Sequence, residues 1–186
     1  MPELWPDAPE PGPGFVEAWA RDRGCLPVVG IDEAGRGCLA GPVVAAAVVL
    51  PDLCEIPGLD DSKRISASGR DRLYDAVRAT SIAWSIAECG PDRIDATDIM
   101  RATFLAMRTA ASDVAGRLDG PVGIVIVDGN MVVPGLALPQ KAWIKGDHLS
   151  LSCAAASILA KVHRDRLLEC LDAEHPGYGF ARHKGY

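Results

Sequence analysis

Four carboxylates that each follow an apolar segment are the residues best suited to chemistry: Asp32, Glu33, Asp128 and Asp147. Carboxylates without a histidine or cysteine partner are hard oxygen donors, which suit Mg²⁺ or Mn²⁺ better than Zn²⁺. Two such ions about 3.5–4 Å apart can activate a water and stabilise the leaving oxygen of a phosphodiester. Crowded carboxylates also require cations, because their mutual repulsion is costly. The sequence therefore predicts a metal-dependent site that acts on phosphate esters.

The segment Gly35-Arg36-Gly37 follows the first two carboxylates directly. Glycine lets the backbone turn sharply and come close to a ligand, and arginine is a strong phosphate-binding cation. An acidic residue followed by glycine after a strand is also typical of an ordinary turn. On its own, this segment leaves both a catalytic site and a simple turn open.

The individual carboxylates have structural alternatives. Asp128 begins the common turn sequence Asp-Gly-Asn, and Asp147 could cap the helix that follows it. Adjacent residues of a regular strand point to opposite faces. Asp32 and Glu33 can therefore share one metal pair only if the chain bends near residues 34–35 or Glu33 reaches around the edge. His148 adjoins Asp147, but the carboxylate set is complete without it.

Hydrophobic patterns predict the elements that position these residues. We expect strands at residues 28–32, 43–50, 81–89, 122–127 and 141–145, and helices at residues 66 or 68 to 79, 98–117 and 149–173. The order of elements indicates an α/β fold with a mixed five-stranded sheet, its first three strands antiparallel, flanked by helices. Sites in open α/β sheets form beyond strand ends. The carboxylates at the ends of three predicted strands should therefore converge.

The composition fits a single domain with an ordinary core. The chain has 186 residues, 48% of them hydrophobic, and a formal net charge of -6. An acidic total argues against a protein that coats nucleic acid through bulk charge. The longest unbroken apolar run, residues 43–50, is too short to span a bilayer. We expect a monomer without a membrane partner.

Residues 1–24 are predicted to form a proline-rich N-terminal arm, with a short helix possible at residues 15–23, ahead of a catalytic domain at residues 25–186. Prolines at positions 2, 6, 9, 11 and 13 forbid regular structure. This acidic start does not resemble a signal peptide. The six cysteines form no CxxC pair and show no zinc-site spacing, which is typical of reduced thiols. A cytoplasmic location follows.

Together, these motifs resemble those of ribonuclease HII. The resemblance covers about residues 28–186, and its motifs occur in the family's order. They are residues 30–37 with 39–42, Asp61-Ser62-Lys63, Asp128-Gly129-Asn130, Lys145-Gly146-Asp147, residues 154–162 with Arg164 and Asp165, residues 178–180, and residues 183–186. Any one motif is weak, but the set is highly specific. The resemblance implies a ribonuclease H-like fold.

The resemblance also implies a function and a set of site residues. It implies an endonuclease that cuts the RNA strand of RNA–DNA hybrids and duplex DNA at embedded ribonucleotides, leaving 3′-hydroxyl and 5′-phosphate ends. The matching catalytic and metal-binding carboxylates are Asp32, Glu33, Asp128 and Asp147. Gly35, Arg36 and Gly37 match the loop that recognises the ribose 2′-hydroxyl, and Tyr186 matches a tyrosine that packs on the neighbouring deoxyribose. Candidate phosphate contacts are Lys63, Lys145 and Lys161, with a solvated surface position as the alternative for each.

Three departures from the family bear on these expectations. Cys38 stands where many relatives have proline, His163 replaces a usual threonine, and the sequence stops at Tyr186, where the family normally continues. The last departure predicts truncation at the C-terminus, so a hybrid-binding fragment with little activity is the alternative function. A related nuclease or resolvase acting on DNA alone is a third hypothesis, which the Gly-Arg-Gly loop and the terminal tyrosine disfavour.

Overall fold

One mixed sheet of five strands forms the centre of the molecule. The computed structural model describes residues 12–59 and 65–186. The strands are β1 (Val28–Ala34), β2 (Val43–Val49), β3 (Ala83–Cys89), β4 (Ile124–Asp128) and β5 (Gln140–Trp143). Their spatial order is β3-β2-β1-β4-β5, with β1 to β3 antiparallel, β4 parallel to β1 and β5 parallel to β4. The predicted mixed sheet is confirmed.

Helices cover both faces of the sheet. They are α1 (Phe15–Asp22), α2 (Ala67–Thr80), α3 (Pro91–Ala96), α4 (Ile99–Ala115), α5 (Gly146–Leu149), α6 (Leu151–Glu174) and α7 (Phe180–His183). Ser66 caps α2 and Asp98 caps α4 through their side chains. Helix α3, which was not predicted, begins at Pro91, since proline is well tolerated in a first helical turn. Within the described ranges, no helix has the length and apolarity needed to cross a membrane.

The close packing of α6 on β1 fixes the position of the strand that carries Asp32 and Glu33. Every residue of β2 is buried, between α4 on one face and α2 with α6 on the other. On β1, a Cβ added to Gly30 would lie 2.1 Å from the carbonyl carbon of Ser152. The helix backbone can approach the strand this closely only because residue 30 is glycine.

The predicted helix at residues 15–23 is confirmed as α1, which packs against the sheet through Val16 and Ala20. Glu17 of this helix accepts hydrogen bonds at Oε1 from the Ser150 hydroxyl at 2.7 Å and from the Ser152 amide at 3.0 Å. These contacts anchor the N-terminus of α6. Residues 1–11 of the predicted proline-rich arm lie outside the described residues, and the boundary at residue 24 stays a prediction.

Candidate active site

Strands β1 and β4 bring two of the predicted carboxylates to the same end of the sheet. The last register pair of these parallel strands is Ile31 with Val127, and Asp32 and Asp128 come next. Asp32 is buried, with 7% of its surface exposed. Its carboxylate accepts hydrogen bonds from the Glu33 amide at 2.8 Å and from the hydroxyl of Ser157 on α6.

Glu33 follows Asp32 on β1, two residues past the last residue of this strand that pairs with β4. Strand β1 remains paired with β2 through Ala34, so the chain does not bend away from the sheet at Glu33. The Glu33 carboxylate forms an ion pair with Arg36, with Oε1 3.1 Å from Nη1. The chain turns immediately after the strand, at Gly35 with a φ of +100°, so the bend near residues 34–35 that the sequence left open is present.

The three carboxylates share one electrostatic environment. Burial raises the pKa of Asp32 well above its ordinary value, and the charges of Glu33 and Asp128 raise it further. Burial also raises the pKa of Glu33, although the Arg36 guanidinium opposes this effect and Asp128 adds to it. Like charges held together in a partly buried site favour either protonation or a bound cation.

Asp147 does not end a strand, so that part of the sequence prediction is wrong. Strand β5 ends at Trp143, and Asp147 is buried in the one-turn helix α5. The preceding residue, Gly146, donates its amide hydrogen to Asp128 Oδ1 at 2.7 Å. This hydrogen bond holds α5 against the end of β4, and Asp147 follows Gly146 directly in that helix. His148 Nε2 lies 4.0 Å from Asp147 Oδ1, at the margin of the site.

A cleft of about 490 Å³ opens beside these residues. Glu33 contributes to its wall, together with the predicted loop at residues 35–37, Lys161 and Tyr186. Four lining residues were not among the predicted site residues; they are Ala34, Arg70, Ser157 and Ile158. Ser157 and Ile158 lie in the small-residue run of α6, and only the packing of that helix on the sheet reveals the face they occupy.

The two glycines of the loop differ in what the fold requires of them. Gly35 has a φ of +100°, and a Cβ there would lie 2.3 Å from Arg164 Nε, so the free protein needs glycine at this position. Gly37 has no positive φ, and a Cβ there would meet no described atom within 4 Å. Folding therefore leaves Gly37 free to vary, and any requirement for glycine must come from a ligand.

Tyr186 also lines the cleft, with 69% of its surface exposed. A hydrogen bond with the Cys38 thiol and partial burial raise the pKa of the Tyr186 hydroxyl. Lys161 Nζ lies 5.9 Å from the centre of the Tyr186 ring and 2.7 Å from Asp165 Oδ1. The Tyr186 hydroxyl is thus bonded to Cys38 and Lys161 lies over the ring, while most of the side-chain surface remains exposed to solvent.

The predicted lysines fall in three different situations. Lys161 lines the cleft. Lys145 is exposed and has a φ of 60°, a left-handed conformation that is uncommon for a residue with a side chain and is often found at functional sites. Lys63 lies outside the described residues. His163 is away from the cleft, paired with Glu88 of β3 at 2.6 Å.

The donor set fits a hydrated divalent cation better than an ion enclosed by protein. Among residues 12–59 and 65–186, no three histidine, cysteine or acidic side chains form a closed group around a metal position. Mg²⁺ typically binds one or two carboxylates and takes its other ligands from water and substrate phosphates. Carboxylate oxygens that converge on one side of an open cleft, with pKa values raised by burial and then by mutual repulsion, match that requirement.

Comparison with known proteins places these features in context. Residues 29–186 match the family model described as Ribonuclease HII. The ribonuclease HII of Syntrophotalea carbinolica is 48% identical over 186 residues, which cover 100% of this chain and 86% of that protein. All six cysteines are free thiols here, so no disulfide constrains the shared core.

Solved structures share the fold. The ribonuclease H2 from Pyrococcus horikoshii superposes with a TM-score of 0.70 at 27% identity, covering 86% of this chain and 80% of that one. Bst-RNase HIII in complex with Mn²⁺ has a TM-score of 0.68 at 20% identity, covering 83% and 57%. At that identity, the second likeness concerns the fold alone.

Proposed function

The chain belongs to the ribonuclease HII family, and from that premise we propose which nucleic acids this ribonuclease H-type endonuclease cuts and how. We propose that it hydrolyses the RNA strand of RNA–DNA hybrids and the strand of duplex DNA that carries a single ribonucleotide. The products would be 3′-hydroxyl and 5′-phosphate ends. The observation that carries the proposal is the convergence of Asp32, Glu33 and Asp128 beside a cleft that contains the Gly-Arg-Gly loop.

The carboxylates give the chain its capacity for hydrolysis. Asp32, Glu33, Asp128 and Asp147 would hold Mg²⁺ or Mn²⁺, which when bound with the substrate supply an activated water and stabilise the leaving 3′-oxygen. Ser157 orients Asp32 through its hydroxyl, and the Gly146 amide orients Asp128. Arg36 neutralises part of the charge on Glu33, so the negatively charged substrate meets a less repulsive cleft.

The loop and the tyrosine supply the preference for RNA. The 2′-hydroxyl is the group that distinguishes RNA from DNA, and backbone groups at Gly35 and Gly37 can approach it without a side chain between them. Tyr186 presents an exposed ring for packing on the neighbouring deoxyribose. Lys161 and Arg70, which line the cleft, would contact backbone phosphates. Lys145 and Lys63 are proposed as further phosphate contacts because they belong to the family's motifs. We propose that the protein acts as a monomer in the cytoplasm, where its six free thiols would stay reduced.

The chemistry of the product ends tests this proposal. A duplex with one embedded ribonucleotide is cut, and the upstream product is offered to a DNA polymerase without further treatment. Direct extension shows the 3′-hydroxyl that water attack leaves behind. A 2′,3′-cyclic phosphate would instead show attack by the neighbouring 2′-hydroxyl and would contradict the assigned role of the carboxylates.

A further inference from the structure

Arg164 is a cationic side chain buried in the middle of α6, with 1% of its surface exposed. Its guanidinium donates three hydrogen bonds to main-chain carbonyl oxygens, from Nε to Pro42 at 2.9 Å, from Nη2 to Ala40 at 2.9 Å and from Nη1 to Lys184 at 2.8 Å. A buried charge is costly unless it is well hydrogen-bonded, and guanidinium presents its donors in a rigid planar fork. The surroundings of Arg164 therefore form a specific site for this side chain.

The three acceptors belong to the two segments that frame the cleft. Ala40 and Pro42 end the loop that begins with Gly35, whereas Lys184 stands two residues before Tyr186. The segments are also joined directly, because the Leu39 amide donates to the Gly185 carbonyl at 2.9 Å. Arg164 thus ties both segments to α6.

The loop and the C-terminal segment both approach their neighbours so closely that two of their residues must be glycine. A Cβ on Gly35 would lie 2.3 Å from Arg164 Nε, and a Cβ on Gly185 would lie 2.4 Å from the Ala40 carbonyl oxygen. Both glycines have a positive φ, of 100° and 87°. Contacts this short do not occur between real atoms, so a side chain at either position would displace Arg164 or the neighbouring segment.

We propose that Arg164 is a positioning residue that holds the loop of residues 35–37 and Tyr186 at a fixed separation. One element then recognises the ribose 2′-hydroxyl while the other packs on the adjacent deoxyribose. The effect of Arg164 on substrate recognition rests on the proposed function, whereas the contacts that Arg164 makes do not. Because Arg164 is buried, it acts through these two elements and touches no substrate.

Substitution of Arg164 by lysine tests the inference. Arg164→Lys keeps the charge, but one ammonium cannot reach three carbonyls in three directions. We expect kcat/KM for a duplex with a single ribonucleotide to fall about 100-fold, the scale of loss from small misplacements in active sites. The salt dependence of substrate binding should keep its slope, since no phosphate contact is lost. Hydrogen exchange at the Leu39 amide should accelerate while the amides of β2 stay protected.

Arg166→Lys is the matched control. Arg166 lies two residues further along α6, half-exposed and paired with Asp71, and its substitution should leave cleavage and Leu39 exchange unchanged. Gly185→Ala provides a second route, because the added Cβ would lie 2.4 Å from the Ala40 carbonyl oxygen and 3.2 Å from Arg164 Nη2, and so displaces the same segment while Arg164 itself is kept. It should reduce cleavage to a similar extent, and the double variant with Arg164→Lys should lose little more than either single variant.

Several outcomes would overturn the inference. Full additivity of the two substitutions would do so, as would a salt slope lowered by about one, which marks a direct phosphate contact. Unchanged protection of the Leu39 amide would also contradict it. If Arg164→Lys does not fold, normal cleavage by Gly185→Ala is decisive against it. If the parent chain cuts no ribonucleotide substrate, the proposed function fails, whereas the Leu39 measurement still decides whether Arg164 joins the two segments.

Discussion

Asp32 and Asp128 stand one residue beyond Ile31 and Val127, the last register partners of two adjacent parallel strands. The two carboxylates therefore leave the sheet side by side, and the charge of Asp128 contributes to the raised pKa of Asp32. Ladder hydrogen bonds and the buried apolar residues below them fix this placement. The fold thus holds like charges together at a cost to its own stability, which is typical of a site that binds cations.

Asp128→Asn should reduce cleavage of a hybrid duplex by about 100-fold or more, the scale for removal of one group that stabilises charge in a transition state. Binding should change little, because the amide keeps the shape of the side chain and can still accept from Gly146. Cleavage rate and hybrid affinity are measured in parallel, with Asp92→Asn on the exposed surface of α3 as control. Activity close to that of the parent would show that Asp128 is only a turn residue.

Asp32→Asn should stabilise the metal-free protein while removing activity. The substitution removes the cost of burying a carboxylate and the repulsion from Glu33 and Asp128, which together raise the pKa of Asp32 in the folded state. A gain of about 1 kcal/mol in the free energy of unfolding would raise Tm by about 2–4 °C in a chain of this size. Thermal unfolding in chelator checks this, and a lowered Tm would contradict it.

The parent protein should show a matching dependence on pH. Because the pKa values of Asp32 and Glu33 are raised on folding, the folded state binds more protons than the unfolded state above the ordinary carboxyl range. Metal-free stability should therefore fall as pH rises from that range through the raised pKa values. Asp32→Asn should make the fall shallower, and saturating Mg²⁺ should remove most of it. Equal pH profiles for parent and variant would refute the assignment.

Secondary-structure elements that depend on their own residues were predicted correctly from the sequence. Elements whose ends depend on contacts with distant residues were not. The continuous apolar run at residues 43–50 indicated a strand, and the structure contains it as β2, buried along its whole length. The region around Ser150 was predicted as a strand followed by one long helix. Its true form, with α5 separated from α6, depends on Glu17, 133 positions away. Asp147 was therefore assigned to the wrong element, although its inclusion among the site residues remains our proposal.

The same limit applies to the cleft. The Gly-Arg-Gly loop and Tyr186 received roles from their motifs, whereas the motif that contains Ser157 and Arg164 indicated no role for either side chain. Their roles follow from the face of α6 that packs on β1. No single-sequence periodicity specifies that face when the helix is apolar around much of its circumference.

Gly37→Ala should separate ligand approach from folding. A methyl group at position 37 meets no described atom and no unfavourable φ, so Tm should be unchanged or slightly higher. Cleavage at a single ribonucleotide should nevertheless fall at least about 10-fold, since the backbone could no longer approach the 2′-hydroxyl closely. Gly35→Ala is the contrasting variant, and it should lower Tm because of its φ and its contact with Arg164. Full activity of Gly37→Ala would exclude a backbone contact there.

Substitutions of Tyr186 should show that its aromatic ring, and not its hydroxyl, contributes to kcat/KM. Tyr186→Phe loses the hydrogen bond with Cys38 but keeps the exposed ring, so kcat/KM should stay within about threefold of the parent. Tyr186→Ala should cost about 10-fold or more, as expected for the loss of one aromatic packing contact with nucleic acid. Steady-state kinetics on one substrate measure both. Equal losses for the two variants would assign the contribution to the hydroxyl instead.

The most direct test incubates this 186-residue chain with a DNA duplex that carries one ribonucleotide, in Mg²⁺, in Mn²⁺ and in chelator. Our account predicts cutting on the 5′ side of the ribonucleotide with either metal, none in chelator, and none when that nucleotide is replaced by its 2′-deoxy form. Equal cutting of the all-DNA duplex, or cutting in chelator, would contradict it. Binding without cutting in both metals would equally contradict it and would favour a hybrid-binding protein.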